Sequence, residues 1–559
     1  MPVTVTCYGG TGEIGGNKIL LEDGEVRVFL DFGRPFDRYS RFFDGIFIKE
    51  RTTRGLLDPI MLNLLPPLEG LYREDLLPPL TEKHHDFWLR FRNRPDYRNL
   101  NRGKALPVNA IFLSHAHLDH SGDFIFVRTD IPVFSTLMTA FIAKAVQDSG
   151  KPSAAGVVYV NPQVAERGVL KGDRDQGYVW RKWGFLDWNY ENESVENHPF
   201  ASPASFWLWR PAKQQTAKQQ TAKQEQEKEG PAFVPAQKPP LRLRWWPLDH
   251  SVFGACGFAL ETSAGWIAYT GDIRFNGSQG PLSWKFAQEL AELRPLALIC
   301  EGTNLEIPHS TTEMEVRDRC LEEVRKASGK LVIADFAPRN VERLMTFLDI
   351  ARETGRCLVI QPKDAYLLSA MRLAAPESVP DLKAEPFLAI YDDPKGRLDK
   401  WEDCTRQEYR EKLIGPGQVR NCPGEYILAF SLWDMADLLD VEYLLEGGLA
   451  EGLYIYSNSK AYDEEQRVDL ERLLNWIEHF GMKPAGLKPN GPSGKVDVDP
   501  GYHASGHASG PELIQFVKEV RPRLLIPIHT ERPERWEEEL RGTGIKVIIP
   551  SYARPITLG

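Results

Sequence analysis

The sequence predicts a mixed α/β protein in which a strand-rich core carries a separate parallel α/β unit. Three observations predict it. Short apolar runs recur along the chain and each ends in a histidine or a carboxylate. Residues 309–499 alternate between helix-like and strand-like patterns, the signature of a parallel sheet with crossover helices. The chain also opens on a hairpin pattern, with no helix after its first glycines. At 559 residues it is too long for one ordinary core, so two or three domains are expected. Apolar residues make up 42% and charged residues 26%, as in soluble globular proteins.

The first segment, "MPVTVTCYGG", reads as a strand from its second residue. Gly10, Gly12 and Gly15 then spell G-x-G-x-x-G, with Asp31 where a ribose-binding acid would be sought. A dinucleotide site needs a helix after the glycines, with its N-terminus facing the pyrophosphate. Here "NKILL", an Asp23-Gly24 turn and "EVRVFLD" follow, with Val26, Val28 and Leu30 alternating as in a strand. The pattern is a hairpin and argues against that site.

From Arg34 to Lys104 the chain is irregular and rich in Arg and aromatic residues. Such residues can stack on bases and hold phosphates, but the acids interleaved with them favour a solvated cap on the core. "NAIFLS" is a buried strand that delivers "HAHLDH" to its C-terminal end. This run places three of the chain's twelve histidines, and an aspartate, between His115 and His120. Imidazole and carboxylate are ligands for zinc, iron and manganese, and alternate residues of an extended segment point the same way, so His115 and His117 can reach one ion. Residues 213–229, "KQQTAKQQTAKQEQEKE", repeat without an apolar face and read as a linker or solvated helix inside an insertion from about 187 to 240.

After "LALICEGTN", Ser310 and Glu313 are placed to form a capping box ahead of a helix, and Pro338 to open the helix that follows "KLVIADF". "RCLVIQ" and "GLYIYSNS" read as further strands, and "YDEEQRVDLERLLNWIEHFG" as a helix. Elsewhere the grammar of strand first and polar tip second repeats: His250 follows "WWPLD", Asp272 follows "GWIAYTG", Glu301 ends "LALIC" and His529 ends "RLLIPI". Reactive groups gathered at one edge of a rigid scaffold are how a protein holds metal ligands in place.

Composition removes several classes of function. The seven cysteines are scattered with no Cys-x-x-Cys pair, which argues against a zinc ribbon or redox motif and fits a reducing cytoplasm. The N-terminus has neither a basic leader nor an apolar signal core. No apolar run approaches the roughly 20 residues of a membrane helix, so export and membrane association are not expected. Net charge is −10 and the isoelectric point about 5.8, which argues against a whole-surface grip on nucleic acid while leaving room for a local basic groove.

In order, Asp31, the run Ser-His-x-His-x-Asp-His from Ser114, His250, Asp272, Glu301, His507 and His529 resemble the motifs of metallo-β-lactamase-fold nucleases of the β-CASP family. "GGTGEIGGN" and "HASGHAS" are most similar to ribonuclease J and its bacterial and archaeal relatives. The resemblance covers nearly the whole chain apart from the insertions near 34–104 and 187–240. It implies an αββα metallo-β-lactamase sandwich, with a first part over 1–308, an inserted parallel α/β β-CASP domain over 309–499, and a returning C-terminal part over 500–559.

The resemblance further implies that His115, His117 and His250 bind one zinc, that Asp119, His120 and His529 bind a second, and that Asp272 bridges them. Asp31 would orient a ligand from behind. Two ions about 3.5–4 Å apart can acidify a shared water and neutralise charge on a phosphodiester. Manganese is the alternative ion, because the ligands mix nitrogen and oxygen. His507 would be the general acid, Glu301 its partner and Asp119 part of the catalytic machinery. His503, Ser505 and Gly506 would cradle a terminal phosphate. The implied activity is metal-dependent RNA hydrolysis, with 5′→3′ exonuclease action on 5′-monophosphate ends and endonuclease capacity. RNA is implied over DNA because a histidine at His529 goes with RNA substrates in this family.

The chain departs from ribonuclease J in three places. Glu301 replaces the usual aspartate, "HTE" replaces the usual His-Gly-Glu, and little sequence follows His529, so that a C-terminal dimerisation domain is not expected. Oligomeric state is left between monomer and homodimer. A DNA exonuclease or repair phosphodiesterase of the same fold is one alternative reading, and a non-catalytic scaffold subunit is another. Arg339, Arg343 and Lys460 are candidates to line an RNA groove, or else plain solvated charges. His84, His85, His198 and His309 are read as loop residues and His479 as a helix-flank residue, none of them ligands.

Overall fold

The computed structural model describes residues 2–44, 47–78, 85–91, 93–94, 97, 107–150, 156–173, 175–188, 238–443, 445–446, 448–461, 464–490 and 495–559. The repeat at 213–229, His84 and His198 lie outside them, as does nearly all of the insertion placed at 187–240.

The opening glycines do belong to a hairpin. Val3–Gly9 pairs antiparallel with Lys18–Asp23, which pairs antiparallel with Val26–Phe32. These strands sit in a seven-stranded sheet ordered Trp183–Phe185, Val133–Ser135, Ala110–Phe112, Val26–Phe32, Lys18–Asp23, Val3–Gly9 and Ile556–Leu558. A second sheet runs Arg242–Pro247, Cys256–Thr262, Gly265–Tyr269, Ala297–Glu301, Leu524–Ile528 and Lys546–Val547. The two sheets pack face to face through Val5, Ile19, Val28 and Phe112 of the first and Phe258, Leu260, Ile267 and Ile526 of the second. Helices Gly280–Leu293 and Gly510–Val520 cover the outer face of the second sheet through Phe286, Leu290, Phe516 and Val517. Helix Leu137–Ser149 packs in the cluster that covers the outer face of the first. The result is an αββα sandwich.

Between two neighbouring strands of the second sheet, Ala297–Glu301 and Leu524–Ile528, the chain makes a third sheet. It is ordered Leu413–Ile414, Leu388–Tyr391, Cys357–Ile360, Tyr426–Leu428, Val332–Asp335, Leu453–Tyr456 and Lys483–Ala485, and every pair is parallel. Helices Glu313–Lys326, Val341–Thr354, Pro362–Ala374 and Glu464–His479 accompany it. Two details differ from the reading of the sequence. The capping box is made by Thr312 and Glu315, two residues beyond Ser310 and Glu313: Thr312 Oγ1 accepts from the Glu315 amide at 3.2 Å, and the Thr312 amide donates to Glu315 at 2.7 Å. Glu313 is taken instead by Arg343. Likewise Asn340, not Pro338, starts the next helix, its side chain accepting from the Arg343 amide at 3.0 Å.

The segment after Arg34 is a cap. Leu56, Ile60, Leu65, Leu68, Phe87 and Trp88 bury into the core over the first sheet, each burial worth about 1.5–3 kcal/mol. Several of its arginines pair with acids: Arg38 binds Glu13, and Arg51 binds Asp58 at 2.6 Å. His85, read as a loop residue, begins the short helix His85–Leu89 that carries these aromatic residues. His309 is exposed outside any helix or strand, and His479 ends its helix.

A buried charge cluster joins the sandwich to the third sheet's helices. Arg274 Nε lies 3.0 Å from Asp249, and its other nitrogens reach Glu342 and, at 3.7 Å, Glu313. Arg343 Nε lies 2.9 Å from Glu313, and its Nη1 donates to the Ser457 and Tyr502 carbonyls at 2.8 and 3.2 Å. Arg343 is wholly buried, so it locks two parts together and does not line a groove. On the other flank Tyr366 donates to Asp148 at 2.6 Å, linking helix Pro362–Ala374 to helix Leu137–Ser149.

Candidate metal centre

The parallel strands Gly265–Tyr269, Ala297–Glu301 and Leu524–Ile528 place Asp272, Glu301 and His529 at one carboxyl edge. The first sheet places Asp31 and His115 at the facing edge, because Val26–Phe32 and Ala110–Phe112 are also parallel. A short helix, Leu118–Ser121, turns Asp119 and His120 back toward the same point. Close approach is what the glycines allow here: a Cβ on Gly15 would stand 2.8 Å from the Asp119 Cβ, and one on Gly33 would fall on the Asp119 carbonyl. Asp31 and His529 both hold positive φ, 58° and 52°, the local strain that clusters at functional sites.

Two ligand groups result. In the first, His115 Nε2 and His250 Nε2 each lie 3.1 Å from His117 Nδ1, with Asp272 Oδ2 3.6 and 3.7 Å from His115 and His250. In the second, Asp119 Oδ2 lies 3.2 Å from His529 Nε2, and Asp272 Oδ1 lies 3.1 Å from His120 Nε2. The candidate ligand atoms within each group lie within 4.8 Å of one another. Asp272 therefore offers one oxygen to each group.

Four of the remaining ring nitrogens are tied back, which fixes which nitrogen faces the centre. His115 Nδ1 meets Ser114 Oγ at 3.0 Å, His120 Nδ1 meets Asp31 Oδ2 at 2.6 Å, His250 Nδ1 meets the Gly506 carbonyl at 2.6 Å, and His529 Nδ1 meets Thr303 Oγ1 at 2.8 Å. Asp31 is in turn held by the Ser114 amide and hydroxyl, both at 2.7 Å, and by the Tyr269 hydroxyl at 2.5 Å.

These groups fit a metal. His120 Nε2 and Asp272 Oδ1 are buried 3.1 Å apart without a well-directed hydrogen bond to any group, a costly state that a shared cation would relieve. Burial lowers His115 and His250 well below the usual imidazole range and His117 to about 4, leaving lone pairs that face one another across a shared space. Against the opposing push of burial, His120 and His529 hold Asp119 well below the usual carboxylate range.

A third group overlaps the second. His507 Nδ1 lies 2.9 Å from Glu301 Oε2, while its Nε2 lies 3.9 Å from Asp272. Burial disfavours its charge, but Glu301 and then Asp272 outweigh it and raise His507 to about 9. Glu301 also accepts from the Ile273 amide at 2.6 Å and the Thr303 hydroxyl at 2.7 Å. Beside it, Ser505 Oγ accepts from Asn304 Nδ2 at 2.9 Å and from the His507 amide at 3.1 Å, which leaves its own proton free to be donated. Gly506 packs tightly against Ser251 and His250, its carbonyl committed to the His250 ring. His503 is lowered to about 4 by burial and then by Arg343, and its Nδ1 is buried without a partner.

Arg339 stands on the other wall, in the loop after Val332–Asp335. Its charge is felt at His117, and it in turn feels Asp119. Among the described residues its guanidinium makes no hydrogen bond or ion pair. Reading the sequence placed Arg339 only as a groove candidate, and did not single out Tyr269, Thr303 or Asn304. Only the "EGTN" context, directly after a ligand-bearing strand, hinted at the last two.

The fold is thus an αββα metallo-β-lactamase sandwich with an inserted parallel α/β unit of the β-CASP kind. Residues 496–550 match the family model of the Zn-dependent metallo-hydrolase RNA specificity domain. The sequence is similar to ribonuclease J of several bacteria. It is 26% identical over 317 residues to ribonuclease J of Corynebacterium glutamicum, covering 55% of this chain and 39% of that protein. It is 31% identical over 291 residues to ribonuclease J of Mycolicibacterium smegmatis, covering 51% and 46%. The chain therefore matches less than half the length of either relative. A crystal structure of a protein of unknown function from Enterococcus faecalis V583 matches over 100% of both chains, with a TM-score of 0.62 and 18% identity, a likeness of fold. No helix among the described residues is long and apolar enough to cross a membrane.

Proposed function

We propose that this chain is a metal-dependent ribonuclease that removes nucleotides from 5′-monophosphorylated RNA in the 5′→3′ direction and has endonuclease capacity. The observation that carries the proposal is the convergence of His115, His117, Asp119, His120, His250, Asp272 and His529 on one point, with two buried polar atoms left unpartnered there. We assign two zinc ions, with manganese as the alternative: one to His115, His117 and His250, one to Asp119, His120 and His529, and Asp272 to both. Bound metal supplies Lewis acidity toward water and a phosphoryl oxygen.

The chain's own groups do the rest. Asp119, a quarter exposed, orients the attacking water. As water adds to phosphorus the P–O3′ bond breaks, and His507 gives the departing 3′-oxygen its proton from Nε2 while Glu301 holds Nδ1. The Ser505 hydroxyl, with His503 and the Gly506 segment, forms the cradle for the terminal phosphate. Arg339 supplies the charge. A guanidinium without a protein partner beside a metal centre is a cation facing cations, and an anion between them resolves the repulsion.

The test is release of 5′-mononucleotides from end-labelled, 5′-monophosphorylated RNA, with a matched DNA oligonucleotide in parallel. Chelation of metal and Asp119→Ala should each abolish release, and zinc or manganese should restore the chelated protein. Undiminished release by Asp119→Ala would overturn the proposal, and preferential cutting of DNA would replace the substrate.

A further inference from the structure

The third sheet carries a recess of its own at its carboxyl edge. Val332–Asp335 and Leu453–Tyr456 are parallel neighbours, but the chain leaving the first crosses to Cys357–Ile360 on one side, and the chain leaving the second crosses to Lys483–Ala485 on the other. Diverging connections of this kind open a crevice beyond the strand ends, where ligands bind in open α/β sheets. A cavity of about 200 Å³ lies there, lined by Asp335, Ser431, Trp433, Asn458 and Lys460 among others.

Its wall is unusual. Trp433 is 76% exposed, and no hydrogen bond or ring contact engages its indole among the described residues. Lys460 is exposed and, among the described residues, unpaired. The floor is ordered: Asp335 accepts from the Tyr454 hydroxyl at 2.6 Å and from Asn458 Nδ2 at 2.7 Å. Burial raises Asp335 to about 7, which thins the negative charge on that floor.

The recess is linked to the metal centre through the chain. The chain that leaves Asp335 reaches Arg339 four residues later. Ser457, next to Asn458, donates to the Tyr502 carbonyl at 2.6 Å and accepts from Arg343 at 2.8 Å, which braces the segment leading into His503 and His507. The strand ends that floor the recess thus also build one wall of the cleft. An indole face beside amide and hydroxyl groups and a lysine suits a flat, polar-edged ring attached to an anion. The volume is below the ~300–1,000 Å³ of clefts that enclose whole ligands and suits one base.

We infer that this recess is a base-stacking subsite for single-stranded RNA, remote from the scissile phosphate: one base lies on Trp433, its edge meets Asn458 and Ser431, and its phosphate meets Lys460. The inference rests on the ribonuclease reading above.

Two 5′-monophosphorylated probes test it: a dinucleotide, which offers only the scissile phosphate, and a single-stranded RNA of tens of nucleotides. Trp433→Ala should weaken binding of the long RNA on the order of 10- to 100-fold and leave dinucleotide hydrolysis at the wild-type rate, with Trp433→Phe recovering most of the loss. Lys460→Ala should make the salt dependence of long-RNA affinity shallower by about 0.7 in log–log slope. Unchanged long-RNA affinity in Trp433→Ala overturns the inference, as does an equal loss on both probes. A loss of self-association without a loss of RNA affinity overturns it in favour of a protein contact. If the wild-type protein neither binds nor cuts RNA, the ribonuclease reading fails before any variant is made, and this inference goes with it.

Discussion

His503 and His507 stand four residues apart in one repetitive stretch, "HASGHAS", and their surroundings drive them in opposite directions. His507 faces Glu301 and Asp272 and is raised to about 9, whereas His503 lies buried against Arg343 and is lowered to about 4. One ring is held ready to give a proton and the other is held neutral. The motif itself does not distinguish them; the sign of the nearest buried charge does.

Three substitutions separate the two rings. The largest effect is expected from His507→Ala, which should slow RNA cleavage about 10²–10⁴-fold without lowering metal content. An effect below tenfold would mean that the protonated ring is not the acid. Glu301→Gln should cost about 10–100-fold and move the alkaline limb of kcat/KM to lower pH. The sign follows from the pair: the carboxylate raises His507, so its removal lowers that pKa and the protonated form is lost earlier as pH rises. An alkaline limb that stays in place would separate Glu301 from His507. The smallest effect is expected from His503→Ala. A single neutral contact to a phosphate is worth about 0.5–1.5 kcal/mol, seen in KM for 5′-monophosphorylated RNA and absent for 5′-hydroxyl RNA.

Much of the sandwich and the cluster is legible in the sequence, for a definite reason. Apolar strands that end in Asp272, Glu301 or His529 advertise both their burial and their tips, and parallel pairing gathers those tips at one edge, which His250 joins from a strand that runs the same way beyond an antiparallel neighbour. Local chemistry was less legible. The capping box falls on Thr312 and Glu315 because Glu313 is claimed by Arg343 from another helix, a contact invisible to local spacing. Arg339 and Arg343 looked alike as charges following a strand, yet one is sealed in an ionic lock and the other opens on the cleft. Burial decides between them, and burial is a property of the assembled fold. The same holds for Trp433, one aromatic residue among many until the sheet leaves it outside.

The order of the ligands along the chain has a temporal consequence. His115, His117, His250 and Asp272 all precede residue 273, whereas the other group waits for His529, whose amide also donates to the Gly10 carbonyl at 2.7 Å. On the proposed assignment, a polypeptide emerging from the ribosome carries all members of the first group for about 250 further additions before the second closes. Over that interval the second proposed group lacks His529 and Glu301 lacks the ring of His507, so on this assignment the two groups are completed at different times.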